Sequence, residues 1–279
     1  MSENKRFAVF GNPIKHSRSP FIHTAFAKQT GVKLEYRAVR VERGDFERAA
    51  RAFFAAGGSG LNVTVPFKEE AFALVDSLSK RAQRAGAVNT IWLDSDGKLC
   101  GENTDGVGLV RDMVANLGWR LQGKRVLVIG AGGAVRGLLE PLLAEQPAQV
   151  HIVNRTEEKA DLLASEFASL GSISASGYDS LPAQSYDVII NGSSAGFANE
   201  APPIPSVALA ERCCCYDMLY GNEPTAFMRW AAQNLAWAVS DGLGMLVEQA
   251  AEGFHCWHGK RPDSQVVIQE LRGVLAAAA

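Results

Sequence analysis

The chain has 279 residues, of which 47% are hydrophobic, and its 28 Lys and Arg against 30 Asp and Glu give a net charge of −2. This balance argues against a nucleic-acid-binding protein, which normally shows a basic excess, and no apolar run reaches the ~18 residues of a membrane span. We expect no secretory signal, because the N-terminal MSENKRFAVFG lacks a long apolar stretch. The five cysteines, with Cys213, Cys214 and Cys215 adjacent, make a poor disulfide framework and favour a reducing cytoplasm.

The length predicts about two domains, at roughly 150 residues each, and short β-like runs alternate with helix-like stretches. This alternation predicts an α/β fold with mainly parallel sheets. The first third is typical of β-α-β-α-β, with strands over 6–11, 34–41 and 60–65. Two more strands, over 88–93 and 98–103, flank an Asp-Ser-Asp-Gly turn.

Local patterns set the expected faces and ends of these elements. Ser19-Pro20 opens a helix that Gly31 closes, with Ser19 suited to the N-cap. Alternation in the third strand predicts that Leu61, Val63 and Val65 share its buried face.

The second part of the chain begins with a helix predicted over 105–118, which Gly118 ends. Its apolar face is expected to carry four residues, Val110, Met113, Val114 and Leu117. Strands follow over 124–130, 149–154, 186–191, 213–219 and 236–240, with helices over 133–146, 157–169 and near 224–234. The last forty residues are mostly helical, and we place domain boundaries near 104–106 and 240.

The segment KRVLVIGAGGAVRG, residues 124–137, combines an apolar strand, a glycine-rich turn and a helix start. Such a turn brings backbone N–H groups and the positive end of a helix dipole close to a pyrophosphate. Because Val135 occupies the third glycine position of the usual pattern, a plain strand-to-helix turn remains the alternative.

The end of the following strand indicates which dinucleotide would bind. An NAD site usually has Asp or Glu there, whereas this chain has Asn154-Arg155-Thr156, with Lys159 one helical turn later. Two cations and a hydroxyl suit the additional phosphate of NADP. The alternative is a solvated helix start with Thr156 as its N-cap.

Three other motifs are weaker. GSSAG at 192–196 resembles the nucleophile elbow of hydrolases around Ser194, but the proline-rich FANEAPPIP follows where a helix would be needed. GWRLQGK precedes its strand and lacks the Ser or Thr of a phosphate-binding loop. His255 and His258 have no second ligand pair at metal spacing, so we expect no metal site.

Polar residues in the first third cluster where the predicted strands end, and such ends line the binding crevice of open α/β sheets. They are Ser17, Ser19, Asn62, Thr64, Lys68, Asn89, Thr90, Asn103, Thr104 and Asp105. Each alone could be a turn or cap residue. Together, with one cation and one anion, they suit a small polyhydroxylated acid that faces the cofactor.

Eight segments in this order resemble the shikimate dehydrogenase family: GNPIKHSRSP, NVTVPFK, GAVNT, GENTDG, GAGGA, NRT, YDMLY and GLGMLVEQA. The resemblance implies NADPH-dependent reduction of 3-dehydroshikimate to shikimate, on the pathway to chorismate and the aromatic amino acids. It implies a substrate domain of residues 1–105 and 240–279, with the C-terminal helices returning to it, and a Rossmann-type NADP-binding domain of residues 106–239. The segment INGSSAG departs from the pattern of many members on the cofactor side.

The resemblance also implies residue roles. Lys68 and Asp105 would be the catalytic pair. The substrate-binding residues would be Ser17, Ser19, Thr64, Asn89, Tyr220 and Gln249, besides Asp105. The cofactor-binding residues would be Gly130, Ala131, Gly132, Gly133, Ala134, Asn154, Arg155, Thr156, Lys159, Met218, Gly242 and Met245.

The expected partner is the small-molecule substrate, without nucleic acid or membrane, and we expect a monomer or homodimer. A relative that uses quinate or NAD, a hydrolase that uses Ser194, and a non-catalytic nucleotide-binding regulator remain open at this point.

Overall fold

The structure is a computed structural model that describes residues 5–193, 195 and 199–277. It divides into two compact units, one of Met1–Gly108 with Val247–Leu271 and the other of Leu109–Leu246 with Arg272–Ala279. The domain limits predicted from the sequence, at 105 and 240, remain a proposal beside this division. No helix in the described ranges is both long and apolar enough to cross a bilayer.

The first unit is built on a six-stranded mixed sheet in the order β2-β1-β3-β5-β6-β4. Its elements in chain order are β1 (Lys5–Gly11), α1 (Ser19–Thr30), β2 (Leu34–Arg40), α2 (Phe46–Ala55), β3 (Gly58–Val63), α3 (Lys68–Leu74), β4 (Ser77–Leu78), α4 (Lys80–Ala85), β5 (Thr90–Leu93) and β6 (Leu99–Glu102). β1 is parallel to β2 and β3, whereas β5 is antiparallel to β3 and β6. The parallel part brings the carboxyl ends of β1 and β3 to one edge.

Two local expectations for this unit were wrong. β3 ends at Val63, so Val65 leaves the sheet and is 62% exposed instead of sharing the buried face of Leu61. Ser19 is the first helical residue of α1 and not its cap, since the cap position is Arg18, while the hydroxyl of Ser17 accepts from the Ser19 N–H at 3.3 Å. The left-handed Gly31 ends α1 as predicted.

The second unit is built on six strands in the order β12-β11-β10-β7-β8-β9, and each neighbouring pair is parallel. Its elements begin after α5 (Asp105–Arg111) and are β7 (Arg125–Ile129), α6 (Gly133–Ala144), β8 (Gln149–Val153), α7 (Glu157–Phe167), β9 (Ile173–Ser176), β10 (Tyr186–Asn191), β11 (Leu209–Asp217), α8 (Ala226–Gln233) and β12 (Ala238–Ser240). This order is that of a doubly wound dinucleotide-binding sheet, with its switch point between β7 and β10. The predicted fold class is therefore confirmed, although the short β9 was not predicted.

Two helices complete the chain, α9 (Leu243–His258) and α10 (Ser264–Ala277). Most of α9 belongs to the first unit, where the Trp257 indole N–H donates to the carbonyl of Ile91 on β5 at 3.2 Å. The predicted return of the C-terminal helices to the N-terminal part is therefore observed for residues 247–271.

The helix predicted over 105–118 changes character part-way. α5 is followed by a π-helical turn over Asp112–Asn116, in which the Leu117 N–H donates to the carbonyl of Asp112. This wider turn rotates later residues off the expected face. Met113 is fully buried, but Val114 and Leu117 are 38% and 37% exposed, so the predicted apolar face was wrong for these two residues.

Candidate active site

An ion pair joins the starts of two helices in the first unit. Lys68 is the first residue of α3 and Asp105 is the first of α5, and Lys68 Nζ lies 2.5 Å from Asp105 Oδ2. Their side chains are 29% and 16% exposed, so both are largely shielded yet reachable by a small molecule. A lysine in this arrangement can donate a proton, with its carboxylate partner fixing the ammonium group.

The buried amide of Asn89 fixes the other side of that carboxylate. Its Nδ2 donates to Asp105 Oδ1 at 2.9 Å and to Thr104 Oγ1 at 2.9 Å, and its Oδ1 accepts from the Thr104 N–H at 3.0 Å. The side chain of Asn103 accepts from the Asp105 N–H at 3.1 Å. Both oxygens of Asp105 therefore have partners, which restrict the carboxylate to one orientation.

Gln249 on α9 reaches the same cluster. Its Oε1 lies 3.4 Å from both Asn89 Nδ2 and Thr104 Oγ1. The approach depends on Gly108 of α5, because a Cβ atom there would lie 2.6 Å from the backbone N of Gln249. Four of the predicted catalytic and substrate-binding residues, Lys68, Asn89, Asp105 and Gln249, thus meet in one hydrogen-bonded cluster.

A second buried set of polar groups adjoins Asn89. Asn62 Nδ2 donates to the Asn89 carbonyl at 3.1 Å and to Thr90 Oγ1 at 3.0 Å, while the Tyr36 hydroxyl donates to Asn62 Oδ1 at 2.6 Å. Burial raises the pKa of Tyr36 well above its usual value, although its hydrogen bond with Ser19 acts in the opposite direction. No sequence signal pointed to Tyr36, because a tyrosine in an alternating strand carries no signal beyond packing.

The remaining predicted substrate residues differ in their surroundings. Ser17, Ser19 and Thr64 are half-buried in the first unit, and the Thr64 N–H donates to the Phe10 carbonyl at the end of β1 at 2.9 Å. Tyr220 follows β11 in the second unit and is exposed. The roles of these four residues stay predictions.

The second unit contains a cavity of about 640 Å³ at the carboxyl ends of its strands. Its lining residues are Gly130, Ala131, Gly132, Asn154, Arg155, Thr156, Lys159, Tyr178, Gly192, Ser193, Ala195, Glu200, Ala201 and Pro203. Seven of these are among the predicted cofactor residues. Gly192 and Ser193 follow β10, which adjoins β7, so the strand order of such folds could have indicated them. No sequence signal pointed to Tyr178 or Glu200.

The glycine turn has the backbone shape that a pyrophosphate requires. Gly130 adopts a φ of +104°, and a Cβ atom there would lie 3.0 Å from the Gly192 carbonyl oxygen. A Cβ on Gly132 or Gly133 would meet nothing within 4 Å, so open space lies over the start of α6. Gly133 and Ala134 form the exposed first turn of this helix, whose N–H groups are free to bind an anion.

The cation side of the cavity fits an additional phosphate. Arg155 and Lys159 are exposed, and in the described part of the chain neither forms a salt bridge. The neighbouring Glu157 has its carboxylate bonded by the Ser180 hydroxyl at 2.9 Å. Asn154 Nδ2 donates to the Thr156 carbonyl at 2.7 Å and shapes the turn. The residues present therefore suit NADP better than NAD, whose free ribose diol calls for a carboxylate.

Three further predicted cofactor residues lie near the ends of β10 and β11 but do not line this cavity. The Met218 N–H donates to the Asn191 carbonyl at 2.9 Å, and the Gly242 N–H donates to that of Leu219 at 2.9 Å. The Met245 N–H donates to the buried hydroxyl of Tyr216 at 3.2 Å. Their contact with a nicotinamide remains a prediction.

The weaker motifs gain no support from the described residues. Ser194 lies outside them. No group of three His, Cys, Asp or Glu side chains among the described residues has the geometry to hold a metal ion. The adjacent cysteines lie in β11 as predicted, and burial raises the pKa of the Cys214 thiol to about 11.

A doubly wound unit with a glycine-lined dinucleotide cavity, joined in one chain to a unit with a shielded Lys–Asp pair, defines a nicotinamide-dependent oxidoreductase of the α/β class. Three family descriptions match the chain: the shikimate dehydrogenase substrate binding domain over residues 9–91, shikimate / quinate 5-dehydrogenase over 112–198, and the shikimate 5'-dehydrogenase C-terminal domain over 242–272. The chain belongs to the shikimate dehydrogenase family.

Individual relatives cover almost the whole chain. A shikimate dehydrogenase (NADP(+)) of Alkalilimnicola ehrlichii is 57% identical over 96% of this chain and 98% of its own length. A crystal structure of an Ael1 enzyme from Pseudomonas putida is 44% identical, with a TM-score of 0.93 over 96% of this chain and 98% of that one. The shikimate 5-dehydrogenase of Thermus thermophilus, in complex with NADP(H) and shikimate, is 33% identical, with a TM-score of 0.86 over 97% of this chain and 100% of that one.

Proposed function

We propose that this protein is an NADP-dependent shikimate dehydrogenase that reversibly reduces 3-dehydroshikimate to shikimate, on the pathway to chorismate and the aromatic amino acids. The observation that carries the proposal is the distance of 2.5 Å between Lys68 Nζ and Asp105 Oδ2. This ion pair is part of a hydrogen-bonded network that includes side-chain amides, in a chain that belongs to the shikimate dehydrogenase family. Bound NADPH would supply the hydride for the substrate carbonyl carbon and would become NADP⁺.

Lys68 completes the reduction by donating a proton. As the carbonyl carbon gains the hydride, the electron pair of the C=O bond moves to oxygen, and Lys68 Nζ gives that oxygen its proton to form the alcohol. Solvent then returns a proton to the amine. Asp105 directs the Lys68 amine towards the substrate, because one carboxylate oxygen bonds Lys68 and the other bonds Asn89. In the oxidative direction each step is reversed.

The substrate is bound by neutral polar groups and the cofactor by backbone and cations. Thr64, Asn89 and Gln249 bind ring hydroxyls, Ser17 and Ser19 bind the carboxylate, and Tyr220 is a further substrate-binding residue. This set supports recognition of a small polyhydroxylated acid, since hydroxyl and amide groups can both donate and accept.

On the cofactor side, the turn Gly130 to Ala134 takes the pyrophosphate, and Asn154, Arg155, Thr156 and Lys159 take the adenosine phosphate. Met218, Gly242 and Met245 line the nicotinamide. The open space over Gly132 supports the first assignment, and the unpaired cations among the described residues support the second.

The direct test is NADPH oxidation measured with purified protein and 3-dehydroshikimate, followed by the reverse reaction with four pairs, shikimate or quinate with NADP⁺ or NAD⁺. We expect the highest kcat/KM for shikimate with NADP⁺. Absence of NADPH oxidation would contradict the proposal. A preference for quinate or for NAD⁺ would instead identify a related dehydrogenase with another specificity.

The cellular setting is part of the proposal. We place the protein in the cytoplasm, because its five free thiols, three of them adjacent, suit a reducing compartment. It acts as a monomer or homodimer and needs neither nucleic acid nor membrane. Sedimentation equilibrium of the purified protein measures the oligomeric state.

A further inference from the structure

The first unit contains a network of four charged side chains that are linked by ion pairs and lead away from the Lys68–Asp105 pair. Arg81 on α4 bonds Glu102 at the end of β6 through two contacts, Nη2 to Oε2 at 2.8 Å and Nε to Oε1 at 3.2 Å. The same Nη2 lies 3.1 Å from Oε1 of Glu252 on α9, and Arg261 bonds the other oxygen of Glu252. The guanidinium of Arg81 therefore joins three separate elements.

One branch of this network leads to Asp105. Glu102 Oε1 accepts from the Asn103 N–H at 2.7 Å, and the Asn103 side chain accepts from the Asp105 N–H at 3.1 Å. Asn103 Nδ2 also donates to the Ala87 carbonyl at 3.1 Å. The carboxylate that Arg81 orients thus fixes the backbone turn that presents Asp105 to Lys68.

The other branch leads to Gln249. Glu252 lies three residues after Gln249 on α9, and residues three apart lie on the same side of a helix. The contact between Arg81 and Glu252 therefore holds the helical turn that brings Gln249 to Asn89 and Thr104. Because one planar guanidinium group binds both elements, it sets the distance between them.

The carboxylates of this network are buried. Glu102 and Glu252 are only 6% and 7% exposed, so each carboxylate needs its cationic partner. Well-packed apolar residues could stabilise such a site as well, and a buried salt bridge is therefore weak support for a purely stabilising role. Bidentate geometry is what an arginine adds, and a lysine at this position could not make all three contacts.

We propose that Arg81 is a positioning residue of the reaction, which holds Asp105 and Gln249 in their productive arrangement through Glu102 and Glu252. The inference rests on the proposed function for its kinetic consequence but not for the geometry. Its effect is on placement, and a misplacement of about 1 Å can cost on the order of 10²-fold in rate.

The test compares Arg81→Gln and Arg81→Lys with the wild type. We expect Arg81→Gln to lower kcat and raise the KM for shikimate, with kcat/KM about 10–100-fold down. Arg81→Lys should recover part of this loss. The dissociation constant for NADPH, measured by fluorescence, should stay within twofold of the wild-type value, because the cofactor residues lie in the other unit.

Two controls separate positioning from loss of stability. Arg51→Gln removes an exposed arginine that pairs with Glu47 on α2, and it should leave kcat and KM unchanged. Phe54→Leu creates a core defect on α2, and at an equal loss in melting temperature it should also leave both constants unchanged. Hydrogen exchange should rise in peptides covering 102–108 and 246–253 for Arg81→Gln and not for Phe54→Leu.

Wild-type kcat and KM in Arg81→Gln would overturn the inference, as would an equal kinetic loss in a Phe54→Leu variant of matched stability. If Arg81→Gln does not fold, Glu252→Gln keeps the shape and removes one charge, and it should raise the KM for shikimate more than it lowers kcat. Unchanged constants there would also overturn the inference. A wild-type protein without shikimate oxidation would contradict the proposed function, and hydrogen exchange would then decide the positioning role alone.

Discussion

The two units treat their polar groups in opposite ways. In the first unit the candidate catalytic groups bind one another, so that Asp105 is held by Lys68 on one oxygen and by Asn89 on the other. In the second unit the cavity is lined by bare glycine backbone and by exposed cations, Arg155 and Lys159. The side chains of the first unit thus hold one another in place. In the second unit, the backbone N–H groups and the cations find their partners in a bound anionic ligand.

This difference predicts how substitutions should behave. In a connected network the loss of one member displaces its neighbours, so effects should be large and should not add. Around an open cavity each residue bonds the ligand separately, so effects should be smaller, local and close to additive. The predictions below test this contrast, from the largest expected effect to the smallest.

The largest effect is expected for Lys68→Ala, which removes the proton donor. kcat should fall by about 10²–10⁴-fold, the usual scale for a general acid–base group. Asp105→Asn keeps the shape, removes the charge and should also lower kcat. Because the two residues act as a unit, the double variant should be little worse than the poorer single variant. Steady-state kcat and pre-steady-state hydride transfer measure this, since slow product release could mask a chemical defect.

A matched control for Lys68→Ala is Lys98→Ala, which alters an exposed lysine of the β5–β6 turn. Its kcat should equal that of the wild type. Hydride transfer at the wild-type rate in Lys68→Ala would show that Lys68 is not the proton donor, and the mechanism proposed above would fail. Strictly additive losses for Lys68 and Asp105 would remove the contrast between the two units.

Arg155→Asp tests the cofactor cavity. The new carboxylate repels the 2′-phosphate of NADP but can bond the ribose diol of NAD, so the two dissociation constants should move in opposite directions. One charge-assisted hydrogen bond corresponds to a loss of about 10–100-fold for NADPH, from roughly 1.5–3 kcal/mol. Fluorescence titration of each cofactor measures this. Arg48→Asp on α2 is the control, and an unchanged NADPH affinity in Arg155→Asp would remove Arg155 from the site.

Adding a methyl group at one glycine in each unit tests the same contrast by steric effects alone. Gly132→Ala should weaken NADPH binding with little change in melting temperature, because the new methyl group occupies open space needed by the pyrophosphate. Gly108→Ala should lower the melting temperature by several degrees, because its methyl group would lie 2.6 Å from the Gln249 backbone. Calorimetry and cofactor titration of both variants measure this. Equal melting losses would contradict it.

The sequence was a good guide where a function depends on residues next to a strand end. Lys68 and Asp105 could be grouped because polar residues that follow strands meet at one edge of a sheet, and Asn89 reaches the same edge from the start of β5, which is antiparallel to β3. The glycine turn and Arg155 followed from the same rule.

Long-range packing and local departures from regular geometry were not visible in the sequence. The pairing of Arg81 with Glu102 and Glu252 joins residues 21 and 171 positions apart. The π-helical turn exposes Val114, and the end of β3 exposes Val65. Both interrupt the regular helix or strand repeat from which buried faces are predicted. Tyr178 lines the cavity from the segment that follows β9, and this segment contains no recognisable sequence motif.

The smallest expected effect concerns the buried His23 of α1, which tests whether the first unit depends on neutral as well as paired groups. Its ring is fully buried, stacks on Tyr36 at 4.4 Å between centroids, and has no hydrogen-bond partner on either nitrogen among the described residues. Burial, together with the nearby His258, lowers the pKa of His23 to about 3. The unfolded chain, with an ordinary pKa near 6.5, therefore binds more protons between those two values.

The free energy of unfolding should consequently fall as pH drops from about 6.5 towards 3, and His23 alone should contribute a loss of about 2 kcal/mol between pH 7 and pH 5. Urea unfolding at both pH values measures this. His23→Leu should be less stable at pH 7 but should lose less on acidification than the wild type, because the leucine takes up no proton. His16→Gln, at an exposed position, should keep the wild-type slope. A His23→Leu protein with the full wild-type slope would show that another group, such as His258, whose pKa burial lowers to about 4, sets the acid sensitivity of this unit.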